Sequence, residues 1–257
     1  MQSLKTNHHK LEIVDDGDIR KLLSGTGSCC EQGAIDLTDL RKHVYDFTLM
    51  AMYSLYFVPN PIRALVVGLG VGVFPRELLF YRSDTVLDVI EIDPHVVDTA
   101  YSHFFYRDNK HHNPMVNTIV GDAWSVVSGL EGEYDLIFID AFTESYIPYH
   151  LMCVEFLEAI KNRLSPQGIV AANMANVHPS YSSQVKTYKS VFGDNIYSLT
   201  GTRNPSATIL FVAQKELELS VDLNLPLQYY PPLQPSKVKF TPEIENASVF
   251  KVSYCII

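Results

Sequence analysis

The sequence predicts an α/β fold, a mostly parallel sheet joined by crossover helices, and three observations predict it. Short apolar runs alternate regularly with helix-like segments from residue 62 onward, which is how parallel strands with crossover helices read. The run at 64–67 meets three closely spaced glycines, Gly68, Gly70 and Gly72, and passes directly into a helical segment. A second apolar run then closes on an acid, Glu91, about twenty positions after the glycines. Strands covered on both faces look like such runs, and a glycine turn into a helix lets the backbone approach a ligand closely. The stretch 62–94 reads as a nucleoside-binding half-site.

The elements follow in order. Between residues 10 and 40 the strand-like pieces LEIVDD and IRKLLS flank Asp16-Gly17, a hairpin signal, so residues 1–40 are expected to form a small N-terminal β-hairpin element. Residues 37–57 carry Leu40, Val44, Phe47, Met50 and Ala51 at helical spacing, and the pattern predicts a helix ended by Pro59 and Pro61. Strands are expected at 64–68, 86–92, 116–120, 134–140 and 169–173, and an antiparallel pair at 196–200 and 208–213. Helices are expected at 74–82, from Pro94, at 124–128, 149–164 and 182–192, with Pro94 well suited to a first helical position. Residues 41–215 thus form the nucleoside-binding domain. The proline-rich stretch 216–257 is expected to be an extended tail packed on it, without chemistry.

Composition narrows the partners. A formal net charge of −9 with no basic stripe argues against nucleic acid. No apolar stretch reaches the roughly 18 residues that a membrane span needs, and the N-terminus lacks the apolar core of a signal peptide; the expectation is a cytoplasmic protein. Cys29, Cys30, Cys153 and Cys255 lack zinc-site spacing, and the pairs His8-His9 and His111-His112 read as solvated surface. No metal is expected.

Alone, G-x-G-x-G is a weak signal, and Val73 stands where a third fingerprint glycine would fall. Joined to Glu91, to Asp122 after the third strand and to Asp140 after the fourth, it becomes specific, because all four positions lie where ligands of open α/β sheets bind. An adenosyl ligand suits them. Glu91 would accept from the ribose diol and Asp122 from the adenine amine, while the 68–72 backbone lies along the amino-acid or aminopropyl arm. Singly, each carboxylate reads equally well as a helix cap. Asp140 is placed to orient or deprotonate a cationic amine, whose nitrogen has no lone pair until it loses a proton, and to hold it in line.

The runs VVGLGVGVFPREL, VIEIDPHVVDTAYSHF, VGDAWSVV, YDLIFIDAF, YIPYHLMCVEFLEAIKNRLSPQGIVAANM and NPSATILFVAQK resemble the spermidine synthase family of polyamine aminopropyltransferases, in particular its divergent prokaryotic branch, from residue 11 to 215. The resemblance implies a Rossmann-like, class I S-adenosylmethionine-dependent methyltransferase fold, with a seven-stranded sheet and the small N-terminal β-element. It also implies decarboxylated S-adenosylmethionine as co-substrate, an amine such as putrescine as acceptor, and a homodimer. By the same resemblance Glu91 matches the ribose-binding glutamate, Asp122 and Ala123 the adenine-contacting pair, and Asp140 the aspartate that activates the amine. Tyr45 matches a site tyrosine and Gln32 a glutamine that reaches the substrate pocket.

Three departures stand beside these matches. Val71 occupies the glycine-loop position where the family carries an aspartate for the donor's amine. After the fourth strand the text is Asp140-Ala141-Phe142-Thr143-Glu144, which makes Glu144 a substrate-binding candidate one residue late. A tyrosine-proline segment near the C-terminal hairpin is reduced to Asn204-Pro205-Ser206. Aminopropyl transfer, methyl transfer from intact S-adenosylmethionine and a nucleoside-binding module without catalysis therefore all stand as readings, Val71 leaning toward the second.

Overall fold

A computed structural model describes residues 2–5, 10–25, 30–143, 146–215, 236–239 and 242–251. The N-terminal part is a four-stranded antiparallel sheet in sequential order, β1 (Gln2–Lys5), β2 (Lys10–Asp16), β3 (Ile19–Ser24) and β4 (Cys30–Asp36). The hairpin read at Asp16-Gly17 joins β2 to β3, with Asp16 paired to Ile19 and Gly17 at φ +59°. The sheet is larger than that hairpin. β4 was not legible because CEQGAID has no clean alternation, and the reason is a register shift: Gly33 pairs Leu22 and Glu31 pairs Leu23, leaving Gln32 as the extra residue of a bulge.

The main sheet contains β5 (Arg63–Val67), β6 (Val86–Glu91), β7 (Val116–Val120), β8 (Tyr134–Ile139), β9 (Leu164–Ala175), β10 (Ile196–Thr200), β11 (Ala207–Ala213) and the two-residue β12 (Ser236–Lys237). Its order is β12-β10-β11-β9-β8-β5-β6-β7; β5 to β9 run parallel, β11 pairs antiparallel with β9, and β10 pairs antiparallel with β11. Strand order reverses between β5 and β8. That switch point opens a crevice at the carboxyl ends of the strands.

Alternate residues of each strand feed two apolar layers. Leu65, Val67, Ile137 and Ile139 face α4 (Ala123–Gly129), α5 (Val154–Lys161) and α6 (Tyr181–Phe192), while Ala64, Val66, Leu136 and Phe138 face α1 (Asp46–Met52), α2 (Val73–Tyr81) and α3 (Pro94–His103). A third cluster, including Leu11, Leu22, Ile35, Val71 and Val96, seals the small sheet against the glycine loop.

Two helices differ from expectation. The helix expected at 37–57 is α1 followed by a 3-10 turn at Tyr53–Tyr56. Before it, Asp36 accepts from the Thr38 N–H and from Lys42, local bonds that compete with helix formation. The helix expected at 149–164 is a 3-10 turn, Tyr149–Leu151, then α5, since Cys153 is extended and the Val154 N–H bonds the Phe250 carbonyl. Its expected end, Ser165 to Gly168, lies inside β9, where the register shifts against β8. Beyond residue 215, β12 pairs with β10, and α7 (Pro242–Glu245) brings Ile244 onto the α5–α6 layer.

Candidate active site

The parallel pairing puts the ends of β5, β6, β7 and β8 in one row. Val67 pairs Ile139 and Ile90, and Glu91 pairs Val120. Gly68, Glu91, Asp122 and Asp140 therefore emerge at one edge, and all four line a cavity of about 210 Å³ together with Gly70 and Ala123. The adenosyl-site residues read from the sequence are thus brought together. Gly72 stands apart: at φ +73° it caps α2, and a Cβ there would lie 2.8 Å from the Tyr106 ring.

Gly68 has a specific steric duty. Its φ is +96°, and a Cβ would sit 2.2 Å from the Asp140 carbonyl oxygen, so only glycine lets the ends of β5 and β8 close. The Asp140 N–H in turn bonds the Val67 carbonyl at 2.8 Å.

Glu91 is 8% exposed. Its two oxygens accept from the Leu69 and Asp93 backbone N–H groups, each at 3.0 Å. The carboxylate ties the glycine loop to the turn after β6 and keeps lone pairs for further donors. Burial pushes its pKa up, against the pull of those amides. Asp122 does cap α4, accepting from the Trp124 N–H at 3.0 Å, and the same oxygen meets His150 Nε2 at 3.2 Å. Both contacts use Oδ1, which leaves Oδ2 for an incoming amine.

Asp140 also lines a second cavity, of about 220 Å³, with Glu31, Gln32, Phe47, Phe142 and Asn173. The register of β9 sets Ala172 beside Ile139, so Asn173 follows beside Asp140, and its amide donates to Asp140 Oδ1 at 2.9 Å. Burial raises the Asp140 carboxyl to about 6, helped by the nearby Glu91 charge and opposed by the Asn173 bond. Burial dominates because a desolvated carboxylate loses more than one hydrogen bond returns.

Gln32, turned by the bulge, lines both cavities and donates to the Thr143 carbonyl at 3.2 Å. Tyr45 lines a small void of about 20 Å³ beneath the glycine loop, which Asp140 also touches, and its hydroxyl donates to Glu31. Burial and then the Glu31 carboxylate push the phenol up, so Tyr45 is a donor there and not a base. Glu144 lies outside the described residues. Val71 is 3% exposed and sits against Gly33, where an added Cβ would lie 2.7 Å from Val71 Cγ2.

Sequence reasoning missed Glu31, Asn173 and His150. His150 lies within the run YIPYHLMCVEFLEAIKNRLSPQGIVAANM that carries the family resemblance, and Asn173 ends an apolar run on a polar residue as Glu91 does; those were the available signals. Glu31 had none. The 204–207 turn reaches the second cavity because buried Asp46 accepts from the Arg203 and Asn204 N–H groups, at 2.7 and 2.9 Å.

A family model described as the spermine/spermidine synthase domain matches residues 42–222. A polyamine aminopropyltransferase of Vibrio vulnificus is 39% identical over 157 residues, covering 60% of this chain and 51% of that protein. Putrescine N-methyltransferase 2 of Nicotiana attenuata is 27% identical over 176 residues, covering 67% of this chain and 45% of that one. The matched segments thus span about half the length of these curated relatives. A probable spermidine synthase from Corynebacterium glutamicum superimposes with a TM-score of 0.77 at 16% identity, over 97% of this chain and 95% of that one, a likeness of fold.

Proposed function

The chain belongs to the spermine/spermidine synthase family, and on that premise we propose that it moves the aminopropyl group of decarboxylated S-adenosylmethionine onto an amine such as putrescine. The observation that carries this reading is the position of Asp140 on the shared wall of two cavities. One has the acids and backbone groups that an adenosyl moiety requires; the other has room and negative charge for an amine.

The chemistry follows from that position. The acceptor nitrogen attacks the carbon bonded to the sulfonium, the C–N bond forms, the C–S bond breaks, and its electron pair goes to sulfur, releasing neutral methylthioadenosine. The nitrogen must first shed a proton. A carboxylate with a pKa near 6 is a better proton acceptor than an ordinary aspartate and is still ionised at neutral pH. Asn173 fixes one oxygen of Asp140 and leaves the other for the amine, so orientation and deprotonation fall to one group. In the first cavity Glu91 takes the ribose hydroxyls and Asp122 with Ala123 the adenine edge; Gln32 borders the amine side, and Tyr45, which lines neither of the two cavities, acts there through its hydrogen bond to Glu31.

Val71 favours a second reading, methyl transfer from intact S-adenosylmethionine to an amine. It supplies no carboxylate for a donor ammonium and is packed into an apolar cluster, and a putrescine N-methyltransferase is among the relatives. Incubation with either donor and 1,4-diaminobutane separates the two by mass spectrometry. Methylthioadenosine formed only from the decarboxylated donor is the expected result; S-adenosylhomocysteine with methylated diamine establishes the second reading, and neither product refutes both. The family resemblance also carries the expectation of a homodimer, which analytical ultracentrifugation reads directly.

A further inference from the structure

One wall of the first cavity is braced by a residue outside the matched family domain. Pro148, His150 and Leu151 line that cavity, on or beside the 3-10 turn Tyr149–Leu151. Tyr149, in the middle of them, is half exposed, and its ring meets that of Phe250 with centroids 5.5 Å apart and planes at 59°. Phe250 lies well beyond residue 222, where the match to the family model ends.

The backbone of Phe250 is committed on both sides. Its N–H donates to Thr187 Oγ1 on α6 at 3.1 Å, and its carbonyl accepts from the N–H of Val154, the first residue of α5, at 2.9 Å. That second bond satisfies a helix N-terminal donor that has no intrahelical partner. Thr187 is itself buried, and its hydroxyl donates to the Ser183 carbonyl. Upstream, buried Ile244 packs on the same layer, and Lys186 Nζ donates to the Glu245 carbonyl at 2.7 Å. Two helices and a buried hydroxyl thus fix where the Phe250 ring sits.

The turn it touches makes few bonds of its own, as short 3-10 segments do. Leu151 N–H reaches the Pro148 carbonyl and Met152 N–H the Tyr149 carbonyl. Leu151 and Met152 anchor it inward by burial, while its outer side meets Phe250 through Tyr149. On the cavity side, His150 Nε2 meets Asp122 Oδ1 at 3.2 Å. A shift of the turn therefore moves both the cavity wall and a partner of Asp122.

We propose that Phe250 is a positioning residue for the nucleoside cavity: it sets the 148–151 turn as the wall beside Asp122, and occupancy of the cavity in turn secures the C-terminal segment. This inference rests on the nucleoside site of the transfer reading above. Its second half follows from its first, because a coupling free energy between two sites is reciprocal.

The test titrates methylthioadenosine calorimetrically into the full-length wild type, Phe250→Ala and Phe250→Tyr. Steady-state rates with donor and 1,4-diaminobutane, and amide hydrogen exchange read by mass spectrometry, accompany it. Phe250→Ala is expected to weaken methylthioadenosine binding about fivefold, the low end of measured couplings, since the ring it removes is only partly buried. The donor KM rises with it, while kcat and the diamine KM stay within about twofold. Phe250→Tyr keeps the ring and the wild-type affinity. In the wild type, saturation with methylthioadenosine slows exchange in the peptides 148–154 and 245–251, which carry the Val154 and Phe250 N–H groups.

Unchanged affinity in Phe250→Ala overturns the proposal, and so does equal weakening in Phe250→Tyr. A lower kcat or melting temperature with nucleoside affinity kept marks Phe250 as a purely structural contact and overturns it too. The wild-type exchange measurement depends on no variant: if methylthioadenosine leaves the 245–251 peptide unchanged, the coupling does not exist. Should wild type bind methylthioadenosine in a Phe250-dependent way yet form no product from either donor, the transfer reading falls and the positioning role stands. Should product form while Phe250→Ala keeps the wild-type donor KM, the reverse holds.

Discussion

Replacing Asp140 by asparagine is expected to abolish most turnover and, at the same time, to stabilise the unliganded protein. Burial moves the carboxyl from its ordinary value of 3.8 to about 6. At about 1.36 kcal/mol per pH unit, the ionised form is disfavoured by up to about 3 kcal/mol. The group borders open cavities, so about 2 kcal/mol is the working figure. Asparagine retains an Oδ1 to accept from Asn173 and carries no charge to desolvate. The sign follows from proton counting. Between about pH 4 and 6 the native state keeps a proton that the unfolded chain has released, so wild-type stability falls as pH rises through that window and is level above it. The variant lacks this slope. At pH 8 its melting temperature should exceed that of wild type by about 4 °C, and the gap should close by about pH 4. Turnover should fall by about 10²- to 10⁴-fold, as for loss of a positioned base. Differential scanning fluorimetry across this pH range and product formation by mass spectrometry read the two effects. A variant that melts below wild type at pH 8 would show Asp140 to be a structural cap, and retained turnover would remove it from the reaction.

The same carboxyl should give kcat/KM an acid limb near pH 6, reporting the free enzyme's base; a profile without inflection in that region contradicts the assignment. Glu91→Gln should weaken methylthioadenosine binding by about 1.5–3 kcal/mol, the range for hydrogen bonds to a charged group, and calorimetry that finds no change would remove Glu91 from the ribose. Gly68→Ala puts a Cβ 2.2 Å from the Asp140 carbonyl at a backbone φ of +96°, so stability and turnover should drop together; a stable variant of normal rate is the opposing result. Gly33→Ala drives a Cβ to 2.7 Å from Val71 Cγ2 and should cost about 1–3 kcal/mol by overpacking. Adding Val71→Ala should recover part of that loss, and a denaturant double-mutant cycle with no coupling would show that the two do not press on each other.

Much of the candidate site was legible because it is local. Gly68, Gly70 and Glu91 sit within one strand–turn–helix–strand unit, where spacing along the chain largely sets spacing in space. Asp122 reads in the sequence as either a cap or a ligand-facing acid, and in the fold it is a cap that also lines the cavity. Val71 illustrates the limit. From the text it was a missing carboxylate; in the fold it also packs the glycine loop onto the N-terminal sheet against Gly33. The long helices expected at 37–57 and 149–164 were shortened by Asp36 and by Phe250, partners that periodicity does not register.

By itself the sequence determined the succession of buried strands, the turn that opens the crevice and the acids along its edge, since hydrophobic periodicity and glycine geometry act over a few residues. Which side chains meet Asp140 was decided only by tertiary structure. Asn173 reaches it through the register of β9 on β8, and Glu31 and Gln32 line its second cavity through one extra residue in β4. Those contacts join segments far apart in the chain, and they come into being only when strand pairing brings them together.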